Sequence, residues 1–129
     1  MDFMRKLEWP SYVALRFFSG LLLLFHGLQK LFGVFTDKPV VKAFTQAWVG
    51  GCLELLCGAL VAVGLLTRPA AFLASGMMAV AYFQFHVKMD FSNWHFLPIN
   101  NGGELAVLYC FIFLCIAAHG PGKWSLDRK

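Results

Sequence analysis

The sequence predicts an all-α fold, a bundle of four transmembrane helices, from three observations. The first is composition: of 129 residues, 59% are hydrophobic and only 14% are charged, against about half apolar and about a quarter charged in an average soluble domain. So few polar groups cannot screen that much apolar surface from water, because exposed patches beyond a few hundred Å² normally mark an interface. The expected solvent, and the first partner, is the lipid bilayer. The second observation is four apolar runs near the ~20 residues that cross ~30 Å of hydrocarbon, namely 11–32, 43–66, 69–87 and 103–119. The third is the punctuation between them. Thr67-Arg68-Pro69 reads as an N-cap followed by a proline tolerated in the first helical turn, which makes spans two and three a tight hairpin. Gly120-Pro121-Gly122 stops the fourth span. The longest connection, Lys88 to Gly103, is rich in Trp and Phe and reads as interfacial.

Arg5 and Lys6 precede an apolar run, as in a secretory signal. Arg16 interrupts that run and no small-residue cleavage site follows Leu28, so the segment is expected to be retained as the first span. The length fits a single domain without repeats. An even number of spans puts both termini on one side, with Arg5, Lys6, Arg68, Lys123, Arg128 and Lys129 there and Lys30, Lys38, Lys42 and Lys88 on the other. The positive-inside rule then favours cytoplasmic termini. These flanks account for the formal charge of +4. No basic patch interleaved with aromatics points to nucleic acid.

Three spans carry polar residues at helical spacing. At about 100° per residue, Arg16, Ser19, Gly20, Leu23, His26, Gly27 and Lys30 share an arc of about 120°, with Phe17, Phe18, Leu21, Leu24, Phe25 and Leu28 outside it. In the second span Ala47, Gly51, Glu54, Gly58 and Ala62 form a small-residue stripe around one carboxylate, the kind of seam along which membrane helices pack. In the third, Ser75, Ala79, Tyr82 and His86 recur at i, i+4, i+7 and i+11. By helical rise His26 lies about 9 Å from the long-loop end, His86 in the last turn of span three, Glu104 in the first turn of span four, Glu54 deepest of these, and Arg16 about 8 Å further on.

An ionisable group at membrane depth costs at least a few kcal/mol, which makes function its default reading. His26, Glu54 and His86 are the candidate catalytic groups, and Lys30, Tyr82, Glu104 and Arg16 the candidate binding groups. Each also has a structural reading. Glu54 can form an ion pair with Arg16, His26 can be a hydrogen-bonded packing residue, and His86 and Lys30 can snorkel to the interface. Asn101 and Glu104 fit the spacing of a capping box, and Tyr82 and Arg16 can be core. The four cysteines lie five apart in pairs, Cys52 with Cys57 and Cys110 with Cys115. Five residues place each pair about 140° apart around its helix and roughly 7.5 Å along it, too far for a disulfide within the helix. Without a C-x-x-C motif they read as small packing residues, although parallel spans two and four could bring Cys52 to Cys110 or Cys57 to Cys115. Imidazole and carboxylate ligands suit iron, zinc or manganese, but the Glu-x-x-His and His-Glu-x-x-His spacings are missing and no metal is expected.

One combination covers nearly the whole chain: Arg16, then His26-Gly27-Leu-Gln-Lys30-Leu-Phe-Gly33, Gly51-Cys-Leu-Glu54 with Gly58, Gly64-Leu-Leu-Thr-Arg68-Pro, His86, Pro98-Ile-Asn-Asn101-Gly-Gly-Glu104, Tyr109, and Gly120-Pro-Gly-Lys-Trp124-Ser-Leu-Asp127. It resembles the DoxX family. The resemblance implies a small four-helix protein of the bacterial inner membrane. Founding members are described as subunits of a terminal quinol oxidase or of a thiosulfate:quinone oxidoreductase, and some distant relatives as trafficking or assembly factors. No haem or flavin motif is present, and fold analogy alone assigns no chemistry.

Two readings follow. In the first the chain is a quinone-linked redox subunit: the head group enters beneath the Phe91 to Pro98 loop, His26 and His86 contact it, Glu54 accepts a proton, and Lys30 or Glu104 connects to water. Electrons then require a partner redox protein. In the second the chain is a non-enzymatic scaffold or assembly factor whose polar interior fixes its packing. A proton-coupled carrier is disfavoured because four helices lack inverted repeats, unless a second copy of the chain supplies them. The charge bias is directly testable: a C-terminal reporter active only in the cytoplasm should fluoresce and a periplasmic one should stay silent, and the opposite pattern would invert the topology.

Overall fold

The computed structural model describes residues 1–127; Arg128 and Lys129, both counted in the charge bias, lie outside the described residues. The described chain is helical, with no strand. A short α1 (Asp2–Lys6) leads into α2 (Glu8–Phe32), followed by α3 (Gln46–Val63) and α4 (Thr67–Ala81). The helix of α4 continues as a π-helical segment, Tyr82–Val87, and then come α5 (Pro98–Asn101) and α6 (Glu104–His119). Three helices, Glu8–Phe32, Gln46–Val63 and Thr67–Val87, are long and apolar enough to cross a membrane. The fourth, α6, is the shortest of the long apolar helices after α4's α-helical part, with 16 residues and about 24 Å of rise, within one residue of the expected 103–119 and bounded by glycines at 102–103 and 120.

Consecutive long helices pack side by side, α2 on α3, α3 on α4 and α4 on α6, while α6 meets α2 only sparsely. The α2–α3 seam is the closest. A Cβ on Gly20 would lie 2.5 Å from the Ala62 backbone nitrogen, one on Gly27 2.6 Å from that of Leu55, and one on Gly58 2.5 Å from that of Leu24. Leu24, which the helical wheel leaves outside the polar arc, thus has its backbone in this seam. The glycines edge the arc and meet α3, and Arg16, Ser19 and Leu23 beside them are buried toward the bundle centre. On the other side, small residues of α4 (Ala70, Ala71, Ala74) let Tyr109, Phe113 and Ile116 of α6 into one buried core with Leu23, Cys57, Val61 and Met78. Ser75 donates from Oγ to the Cys110 carbonyl at 2.7 Å, the kind of bond that satisfies a hydroxyl where water is absent. Because α3 and α6 stand diagonally, neither proposed cysteine pair forms, and all four thiols are free.

The termini meet at one end. The Tyr12 hydroxyl donates to the Gly120 carbonyl. Arg16, 2% exposed, does not pair with Glu54: its guanidinium donates to the carbonyls of Pro121, Lys123 and Trp124. The ion-pair expectation fails because the strap 120–127 folds back over the bundle end and supplies acceptors much nearer. Gly64 makes the room, since a Cβ there would lie 2.5 Å from the Ser125 Cβ and 3.0 Å from the Arg16 guanidinium carbon. Arg68 donates to the last carbonyls of α6, Ala117 at 2.9 Å and Ala118 at 2.6 Å, groups that a helix C-terminus leaves unsatisfied.

The α4 N-terminus is capped from the same strap. Thr67 is a helical residue and not the N-cap that its spacing to Pro69 suggested; Leu66 holds that position in a left-handed conformation, and the Asp127 carboxylate accepts from Leu66 N at 2.7 Å and from Thr67 N at 2.8 Å. Burial would raise the Asp127 carboxyl, but the bonds from Thr67 and Leu66 and the nearby Arg16 charge outweigh it and hold the group below its ordinary value. Trp9 and Trp124 mark this end of the bundle and Trp48 and Trp94 the other, two aromatic girdles of the kind that sit at membrane–water interfaces.

The seam makes a sharp prediction. Gly58→Ala should force two backbones apart and cost about 1–3 kcal/mol, whereas Gly50→Ala and Gly76→Ala, which would meet nothing within 4 Å, should be neutral or stabilising by up to ~1 kcal/mol through helix propensity. Thermal unfolding in detergent reads all three, and equal effects would mean the seam is not as tight as described.

Candidate functional site

At the end opposite the strap, α2, α3, α4, the π-helical segment and α6 surround a cavity of about 390 Å³. That volume lies within the ~300–1,000 Å³ common for small-molecule sites. Its walls include His26 and Lys30 from α2, Glu54 from α3, His86 from the π-helical segment and Tyr109 from α6, with Leu23, Met78, Phe85 and Leu105 as apolar surface.

Glu54 is the deepest charge. It is 5% exposed, and its Oε1 takes the Lys30 ammonium at 2.6 Å. Gly51 lets the lysine stem pass, since a Cβ there would lie 3.2 Å from the Lys30 Cβ. The Lys30 side chain is 40% exposed, so the pair has one dry and one wet member. The other carboxylate oxygen, Oε2, is buried with no hydrogen-bond partner among the described residues, a condition shared by Arg16 Nε and Thr67 Oγ1. Only Glu54 of these three lines the cavity. An unmet carboxylate oxygen in a dry setting is costly, and a donor placed in the cavity would relieve it.

The imidazoles are held from different elements. His26 meets the Tyr109 ring edge-on, centroids 6.3 Å apart, and Tyr109 stacks on Phe113. His86 lies in a π-helical turn, a distortion frequent at functional sites. Its Nδ1 is 3.4 Å from the Asn101 carbonyl oxygen; a carbonyl only accepts, so this long contact is a hydrogen bond in the tautomer protonated on Nδ1, which has Nε2 as an acceptor.

Within the π-helical segment Tyr82 and His86 stay together, their rings stacked with centroids 6.3 Å apart, but they serve different partners. His86 reaches the cavity wall, while Tyr82 turns to the connecting loop, donating to the Phe96 carbonyl and accepting from Asn101 Nδ2 at 3.2 Å. Asn101 also donates to the His95 carbonyl, and its Oδ1 accepts from Gly103 N at 2.8 Å. It therefore pins the loop and makes no capping box with Glu104, whose helix has no side-chain cap. Glu104 is exposed and Arg16 serves the far end, so neither lines the cavity. The loop contributes Gly102 to the lining and nothing from Phe91 to Pro98.

Lys30 is the residue that faces water. A smaller cavity of about 180 Å³ lies beside the 33–45 connection, lined by His26, Gln29, Lys30, Thr36, Lys38, Pro39 and Val41. His26 and Lys30 belong to both cavities. Tyr109 had entered the sequence reading only as part of a family pattern; its signal was available as the one hydroxyl-bearing aromatic within the apolar α6. Among the described residues no three His, Cys, Asp or Glu side chains gather as a metal would need.

The DoxX family model matches residues 11–87. An uncharacterized protein of Haemophilus influenzae is 37% identical over 128 residues, covering 93% of this chain and 91% of that protein. An uncharacterized membrane protein of Mycobacterium tuberculosis is 31% identical over 137 residues, covering 93% of this chain and 81% of its own length. No solved structure matches.

The half-wet ion pair predicts an asymmetry. Lys30→Met strands a buried carboxylate and should cost about 2–3 kcal/mol, somewhat under the ~3–5 of a fully buried pair, whereas Glu54→Gln releases an ammonium that reaches water and should cost under ~1 kcal/mol. Arg16→Met should add to Glu54→Gln without coupling, because the two make no contact. Unfolding midpoints in detergent test this, and a greater loss from Glu54→Gln than from Lys30→Met would reverse the assignment of the wet member.

Proposed function

The chain belongs to the DoxX family, and on that premise we propose that it is a quinone-linked subunit of the bacterial inner membrane, with cytoplasmic termini, working with a partner oxidoreductase. The observation that carries the reading is Glu54 Oε2, a buried carboxylate oxygen lacking a donor at the wall of a cavity shared with two imidazoles. A quinol offers two hydroxyl donors, and its oxidation releases two electrons and two protons, so it needs acceptors at both oxygens and a proton exit. Glu54 Oε2 is the first acceptor, and Nε2 of His86, or His26, serves the second. Proton transfer to Glu54 neutralises the carboxylate and frees the Lys30 ammonium, whose other face borders the aqueous cavity. His26, shared by both cavities, can carry the proton across. In the reducing direction the same groups return the protons. The electrons pass to or from the partner, because no redox centre is implied by the residues of the site.

A scaffold reading draws on the Lys30–Glu54 pair itself, which could serve packing alone. Binding of menadione to the detergent-solubilised protein separates the two. The quinone reading expects saturable binding that Glu54→Gln and His26→Gln each weaken by about tenfold, ~1.4 kcal/mol, with the fold intact by size exclusion. The scaffold reading expects no saturable binding and no difference between the variants and the wild type.

A further inference from the structure

The polar cavity has an apolar continuation. A groove of about 520 Å³ runs between α2 and α6, lined by Ser11, Ala14, Leu15, Phe18, Ser19 and Leu22 on one side and Leu105, Leu108, Tyr109 and Ile112 on the other. Leu105 and Tyr109 also line the polar cavity, so the two share a wall at the α6 N-terminal half. The groove lies where two long helices in contact, α2 and α6, pack most sparsely. Its length along α2, from Leu22 to Ser11, is about 16 Å by helical rise. Phe18, Leu22, Leu105 and Leu108 are all more than 45% exposed, which in a bilayer means facing hydrocarbon.

We propose that this groove seats the hydrocarbon tail of the molecule whose head group occupies the polar cavity, so that the ligand is a long-tailed, lipid-soluble quinol or quinone that arrives sideways from the bilayer between α2 and α6. The inference rests on the quinone reading of the cavity and adds the tail and the route. Chemistry and connectivity agree on it. A head group that donates to Glu54 sits at the end of the groove where Tyr109 and Leu105 are common to both spaces, and an apolar chain attached to it has the α2–α6 gap as its continuation. The connecting loop above supplies only Gly102 to the cavity, so approach beneath Phe91 to Pro98 has no lining to support it. Tyr109, 5% exposed and braced between His26 and Phe113, forms the sill between head and tail.

Menadione and phylloquinone share one ring and differ in the tail, and each is titrated into wild type, Ala14→Phe and Leu108→Trp in the same detergent. Comparing variants with wild type for one ligand at a time cancels micelle partitioning. Filling the groove should weaken phylloquinone by about tenfold while menadione stays within about twofold. Equal loss for both ligands would overturn the inference by showing that the substitutions act on the head-group cavity, and so would undiminished phylloquinone binding, which would put the tail elsewhere. Absence of any saturable menadione or phylloquinone binding to wild type would instead overturn the quinone reading and the inference with it. Size exclusion and unfolding midpoints confirm that the lipid-facing substitutions leave the bundle folded.

Discussion

Backbone contact between α2 and α3 is the constraint from which the remainder of the bundle follows. In hydrocarbon there is no hydrophobic drive to join helices, so association depends on close packing and internal hydrogen bonds. Gly20, Gly27 and Gly58 bring the two helices together until an added methyl group would meet backbone atoms at 2.5–2.6 Å. That proximity sets the Lys30–Glu54 ion pair at 2.6 Å. It also draws α2 toward α3 and leaves the contact to α6 thin. The polar cavity and the apolar groove are both products of this uneven packing.

The two deepest charges illustrate opposite solutions to dehydration. Arg16 is a cation surrounded by carbonyl oxygens, with three acceptors from one short strap, and the strap in turn caps α4 through Asp127. There the charge ties chain segments together, with Arg16 Nε and Thr67 Oγ1 the atoms left without a hydrogen-bond partner among the described residues. Glu54 is only half satisfied, by one lysine whose other face is wet. A bundle that required Glu54 only for cohesion would do better with two donors on the carboxylate, as Asp127 has. Of the unpartnered buried atoms, Glu54 Oε2 is the one at the cavity wall, where a donor in the cavity would complete it.

Much of this was legible in the residues. Apolar composition and four long runs gave the helical membrane bundle, and helical phase at Arg16, Ser19, Leu23 and His26 gave the interior of α2. What was not legible depended on geometry that periodicity does not encode. The strap 120–127 reads as a tail, yet its carbonyls displace Glu54 as the partner of Arg16, because proximity of chain segments far apart in sequence is invisible to a helical wheel. Asp127 takes over the capping that Thr67 seemed placed to perform, for the same reason. Tyr82 and His86 remain neighbours, as the stripe placed them, but the π-helical turn that holds both was not legible, since a 3.6-residue period cannot anticipate an i→i+5 turn. Tyr109 escaped a reading focused on titratable groups, although a hydroxyl inside an otherwise apolar helix was the cue.

Burial and access are the last link. A site at membrane depth can exchange a ligand with water, with the bilayer, or with both, and the lining decides which. Here the face toward the 33–45 connection carries Gln29, Thr36 and Lys38 around His26 and Lys30, suited to water and protons. The face toward α6 carries Leu, Phe, Ile and the Tyr109 ring, suited to hydrocarbon. His26 and Lys30 border the first, Tyr109 and Leu105 the second, and Glu54 lies in the space between them. Under the proposed function, such a division would let a proton and an apolar tail leave the neighbourhood of Glu54 in different directions without opening the bundle. On that proposal the sparse α2–α6 contact is a working gap, because closing it would part the cavity from the apolar groove while leaving the charge pair untouched.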